Sequence, residues 1–240
     1  MEDWKNEVAK TKQGNEAAWR KSRPVFSDYD VVVGNYNGQS WPDDVKNDFE
    51  KYMRQGGGFV AVHAADNAFS KWPEYNKMIG VGGWGGRNEK SGPMLRYRNG
   101  KWIKDASVGR GGTHGKKVSN LVVTHKPDHP IMKGLDKQWM HVKDEIYGLL
   151  RGPAENVTVL ASSFSDKKDN GTGEREPGLM VIDYHKGRVF HTTYGHSVKE
   201  MQGLGFQITL QRGTEWAATG KVTLPLPKQK LSKTEAIIAN

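Results

Sequence analysis

The feature that most constrains this chain is a strand–helix–strand run near its start. "DYDVVVGNY" (28–36) is a short apolar run between polar residues and reads as a fully buried strand. "SWPDDVKNDFEKYMRQGGG" follows as a helix. Pro42 suits its first turn, Asp43 and Asp44 favour its positive end, and Val45, Phe49, Tyr52 and Met53 share one apolar face. The glycines at 56–58 stop the helix, and "FVAVH" (59–63) is a second buried strand. Strand, helix and strand at this spacing make a parallel βαβ unit, whose strands end at one edge of the sheet. His63 stands at that edge, where many α/β enzymes carry a nucleophilic Ser or Cys.

Further elements follow along the chain. "PEYNKMIG" (73–80) reads as a short helix, while "VSNLVVT" (118–124) and "VTVLA" (157–161) read as strands. "GLMVIDYHKGRVFHTTYGH" holds two strands joined around "HKGR", a hairpin signal. In 204–217, Leu204, Phe206, Ile208 and Leu210 alternate like a strand, but Phe206, Leu210, Gly213 and Ala217 keep helical spacing. The pattern continues through Trp216, which favours a helix. Residues 81–115 are a Gly-rich segment without a period, a length of loop that compact domains usually reserve for lids or binding. After Val222, "LPLPKQKLSKTE" reads as a polar tail. With neither repeat nor linker, the expected organisation is one domain over 1–225 and a tail over 226–240.

Composition removes several function classes. The chain of 240 residues has no cysteine, which excludes disulfides, thiolate catalysis and cysteine-based zinc sites. No apolar stretch approaches the roughly 18–20 residues of a membrane span, so no membrane partner is expected. Nothing after Met1 reads as a signal peptide, and the compartment stays open between cytoplasmic and periplasmic or secreted. The net charge of +9 is concentrated at the two ends and in residues 86–120, which hold nine basic side chains and two acidic ones. No nucleic-acid recognition module accompanies that charge; a solvated loop, or a basic loop over the strand ends, is the expectation.

Seven stretches carry a family resemblance: "GGGFVAVHAADNAF", "YNKMIGVGGWGGR", "GGTHGKKVSNLVV", "HPIMKGL", "DEIY", "GRVFHTTYGH" and "RGTEWAATGKVT". In this order, over about residues 25–225, they resemble the ThuA-like family, named for trehalose utilisation. The resemblance implies a three-layer, mainly parallel α/β sheet of the flavodoxin-like, class I glutamine amidotransferase-like fold. It also implies an extra strand ahead of "DYDVVV". Residues 1–24 are polar and helix-like instead, so that first strand is missing or replaced. Where the amidotransferases carry their cysteine this chain carries His63, so cysteine-dependent glutamine hydrolysis is not expected.

The candidate site is drawn from polar residues expected at the strand ends. His63 ends a strand. His114 lies among glycines in "GGTHGKK", and His196 follows a strand in the region that supplies the amidotransferases' catalytic histidine. In "HVKDEIY", Asp144 and Glu145 point to opposite faces if the segment is extended, so one of them enters the site. The catalytic candidates are His63, His114, His196 and Glu145; the substrate-binding candidates are Asp66, Asp144, Trp84 as a flat apolar face and Arg87 as a planar donor fork. His125, His129, His185 and His191 read as structural. His63, His114, His196 and a carboxylate are a reasonable donor set for zinc or another divalent cation, but no tight ligand spacing occurs and no metal is assigned.

The resemblance implies a sugar partner: trehalose-like disaccharides or their 3-keto derivatives, acted on by hydrolysis, elimination or isomerisation. The alternative is a non-catalytic carbohydrate-binding or scaffold protein on the same fold.

Overall fold

The computed structural model describes residues 23–239. The expected βαβ unit is present: strand β1 (Val31–Gly34), helix α1 (Asp43–Arg54) and strand β2 (Gly58–Val62), with β1 and β2 parallel. A 3-10 turn (His63–Asn67) and helix α2 (Pro73–Ile79) follow. Then come β3 (Met94–Arg98), β4 (Lys101–Asp105), β5 (Thr113–His114), β6 (Val118–Thr124), β7 (Gln138–Asp144), β8 (Tyr147–Gly148), β9 (Val157–Phe164), β10 (Arg175–Tyr184) and β11 (Gly187–Thr192). Helix α3 (Leu204–Thr219) completes the three α-helices among the described residues, so the helical reading of 204–217 holds over the strand alternation.

The main sheet has the order β1-β2-β11-β10-β9-β6-β7. Only β1–β2 and β2–β11 pair in parallel; the other four pairings are antiparallel. The sheet is therefore mixed, not mainly parallel, because β9–β10 and β10–β11 are direct reversals and β6 runs against both of its neighbours, β7 and β9. Strand direction is still lopsided. β1, β2, β7, β9 and β11 point one way, and only β6 and β10 run against them. The carboxyl ends of β2, β7 and β11 consequently share an edge with the start of β6.

Alternate residues of β2 feed two apolar clusters. Phe59 and Ala61 pack with Val45, Phe49 and Met53 of α1 and with Tyr75, Met78 and Ile79 of α2. Val60 and Val62 pack with Phe206, Trp216 and Ala217 of α3. Period-two alternation puts these clusters on opposite faces of the sheet. α3 lies close: a Cβ at Gly213 would stand 2.2 Å from the Phe190 ring of β11, so glycine is what admits the contact.

Three expectations change. β1 is an edge strand rather than fully buried, and Val33 is 54% exposed, because no strand among the described residues covers its outer side. The Gly-rich segment 81–115 is not one open loop. It contains the β3–β4 hairpin, which turns on Asn99 (φ 51) and Gly100 (φ 77), and Arg87 and Arg96 from its basic set are buried. Residues after Val222 fold back instead of trailing away: Met140 N–H of the edge strand β7 donates to Ser232 O at 2.7 Å, and Leu204 N–H to Ile237 O at 2.8 Å. The expectation for residues 1–24 falls almost wholly outside the described residues. No described helix is long and apolar enough to cross a membrane.

Candidate active site

His63 follows β2 directly and takes φ 34, a left-handed conformation that costs a non-glycine residue about 1–3 kcal/mol and marks functional turns more often than packing ones. Its side chain is buried, and its Nδ1 lies 2.8 Å from Thr193 O. A carbonyl only accepts, so the proton sits on Nδ1 and Nε2 faces outward, 3.2 Å from His196 Nδ1. His196 lies four residues beyond the end of β11. It is exposed, and its Nδ1 is also 3.0 Å from Glu145 Oε2.

Glu145 follows β7 and is buried. Its other oxygen lies 3.9 Å from Nδ1 of His114, which is exposed just ahead of β6 and has that same nitrogen 2.9 Å from Gly115 O. The four catalytic candidates are thus brought together at one sheet edge: His63 and Glu145 below, His114 and His196 toward solvent.

Aromatic rings wall this group. The Tyr147 ring lies 4.2 Å from that of His63, and Trp84, half-buried, meets Tyr147 edge-on at 4.6 Å. Burial holds the Tyr147 phenol well above its ordinary range, partly offset by the bond from Asn67, so the hydroxyl stays protonated at neutral pH. Tyr147, absent from the residues expected at the site, stands two residues after Glu145, the spacing that puts two side chains on one side of an extended segment.

The remaining substrate-binding candidates, Asp144, Asp66 and Arg87, are buried and bonded within the protein. Asp144 is fully buried: Oδ1 accepts Glu145 N–H at 2.8 Å, and Oδ2 accepts Gly195 N–H at 2.8 Å and lies 2.9 Å from His141 Nε2. Burial alone would raise its pKa, but the His141 contact and the backbone donors outweigh it and hold the carboxyl below its usual range. Asp66 is likewise fully buried and bonded to His191 of β11. Despite the burial, which acts the other way, that carboxylate raises the pKa of His191. Arg87 spends its fork on Gly83 O (2.7 Å), Ala68 O (2.7 Å) and Asn76 Oδ1 (2.8 Å), so its donors tie the segments before and after α2 to that helix. His125 packs under the hairpin rings of Tyr97 and Trp102, away from the site.

This architecture, with histidines at the ends of β2 and β11, can be set beside known proteins. The family model described as trehalose utilisation matches residues 5–217. The chain belongs to the ThuA family. A solved ThuA-like protein from Parabacteroides merdae is 46% identical with a TM-score of 0.87, over 89% of this chain and 79% of that one. A second ThuA-like protein, from Bacteroides uniformis, is 20% identical with a TM-score of 0.54 over 82% and 72% of the two chains, a likeness of fold. No protein of curated function matches. Membership in ThuA supports a role in carbohydrate utilisation.

Proposed function

We propose that this ThuA-family chain is an enzyme acting on trehalose-like disaccharides or their 3-keto derivatives at the edge where β2, β7 and β11 end. The observation that carries this reading is the convergence of His63, Glu145 and His196, with His114 above them, beside the Tyr147 and Trp84 rings. Aromatic faces suit the apolar faces of sugar rings, and imidazoles with a carboxylate suit hydroxyls and proton transfer. The Nδ1 of His114 is engaged by Gly115 O, which leaves Nε2 as the proton-exchanging atom. Hydrolysis, elimination and isomerisation of keto sugars all need such a group near the reacting carbon. We read the apolar clusters on both faces as the three-layer, flavodoxin-like arrangement in a mixed-sheet form.

The test is turnover of trehalose and 3-ketotrehalose by the full chain, followed by H114A and H196A. Both side chains are exposed, so folding should survive, and each substitution should lower the rate by about 10²-fold. Unchanged rates in both variants would sink the catalytic assignment, and tight binding without turnover would point to a sugar-binding protein.

A further inference from the structure

Three potential ligand atoms meet in the site, and a single N–H has to serve two acceptors among them. His63 Nε2, His196 Nδ1 and a Glu145 oxygen all lie within 4.8 Å of one another. With its proton held by Thr193 O, a neutral His63 offers a lone pair from Nε2, and ionised Glu145 offers only lone pairs. His196 Nδ1 sits between these two acceptors, at 3.2 and 3.0 Å. One N–H cannot point well at both; a cation among the three would satisfy all of them.

We propose that His63, Glu145 and His196 bind one divalent first-row transition cation of the zinc class. Bonds of about 2.0–2.2 Å to imidazole nitrogen and carboxylate oxygen set neighbouring ligand atoms roughly 2.8–3.6 Å apart for angles at the cation between about 90° and 110°. The His63–His196 and His196–Glu145 separations fall in that interval. Two imidazoles and a carboxylate leave coordination positions open, the pattern of catalytic rather than structural zinc.

The supports fit as well. Ligating histidines ordinarily donate their second N–H to a carbonyl or carboxylate, and His63 does so to Thr193. Asp144 fixes Glu145 through one backbone N–H and the turn before His196 through another, without using either donor side chain. His114 remains outside the triad, with Nε2 available to exchange a proton with cation-bound water or a sugar hydroxyl. The cation's role toward sugars rests on the proposed function; its binding does not.

The experiment is titration of the chelator-treated full chain with zinc chloride, read by calorimetry, with cobalt chloride as a spectroscopic probe. The expected result is one equivalent bound, with visible bands from nitrogen-ligated cobalt in the wild type. E145Q and H196A should each weaken zinc binding by about 10-fold or more, while removal of the exposed His185 leaves it intact. Absence of stoichiometric binding, or wild-type binding in both E145Q and H196A, overturns the site. Zinc uptake without sugar turnover would sustain it and sink the sugar reading; chelator-resistant turnover without zinc uptake would do the reverse.

Discussion

The carboxylate of Asp144 accepts the backbone N–H of Gly195 at 2.8 Å, tying the end of β7 to the turn that presents His196. Its other oxygen holds Glu145 N–H, so one buried side chain sets two site residues. D144A would strand the Gly195 and Glu145 amides and leave buried His141 without its carboxylate, at a cost of about 1–3 kcal/mol per unsatisfied group. The expected outcome is a folded variant with a lower denaturant midpoint and a fall in kcat larger than the rise in KM. Activity unchanged at temperatures where the variant stays folded would show that Asp144 does not position the site.

Gly195 itself bears φ +97, and a Cβ there would stand 2.6 Å from the Phe206 ring of α3. G195A should therefore destabilise by about 1–3 kcal/mol, through strain and contact together. Thermal unfolding of the variant checks it; a midpoint equal to the wild type would mean the turn relaxes freely.

Arg87 supplies a different expectation from the one its charge suggests. Three acceptors depend on its planar fork, and an ammonium cannot reach them in the same geometry. R87K and R87M should both lose about 3 kcal/mol or more of stability. Wild-type unfolding midpoints in both would return Arg87 to the list of ligand-facing groups.

These cases show where sequence was informative. The βαβ unit, the β10–β11 hairpin and α3 are written locally, in apolar periodicity and in turn and cap residues, and they appear where expected. The order of distant strands is not written locally, which is why a family-level expectation of parallel pairing met a mixed sheet. The β3–β4 hairpin did leave a trace, the Asn99–Gly100 pair that favours a tight two-residue turn, but the surrounding glycines masked it. That His63 and His196 meet at one sheet edge was legible because each follows a strand that ends there. The burial of Asp66, Asp144 and Arg87 was not legible, because residue type reveals hydrogen-bonding capacity, whereas burial and partners belong to the assembled fold. Tyr147 was legible only through its two-residue spacing from Glu145.

His125 gives a pH dependence of stability. Burial, then the charges of Arg175 and Lys126, lower its pKa from 6.5 to about 4 in the folded protein. The unfolded chain therefore binds more protons between those values, and this contribution is complete above about pH 6.5 and is lost as pH falls toward 4. The slope cannot exceed about 1.4 kcal/mol per pH unit for one group, and partial exposure reduces it. H125Q keeps a polar partner for Ser162, which lies 2.7 Å from the imidazole, but does not titrate, so it should flatten the stability profile in this window. Parallel profiles for wild type and variant would assign the acid sensitivity elsewhere.

Tyr147 separates packing from chemistry. Its ring covers His63 and meets Trp84, whereas among the described residues its hydroxyl has as hydrogen-bond partner Asn67 Nδ2, at a long 3.5 Å. Removing the ring in Y147A opens a void beside a buried imidazole and should cost about 3–5 kcal/mol. Y147F keeps the ring and gives up one weak bond, so its stability should stay within about 1 kcal/mol of the wild type. If the phenol faces a sugar, Y147F should still weaken binding by about 10-fold, because a hydroxyl held protonated by burial is a donor that phenylalanine cannot replace. The loss should be the same at neutral and mildly alkaline pH, since the phenol does not ionise there. Equal sugar affinity in Y147F and wild type would leave Tyr147 as a packing residue alone.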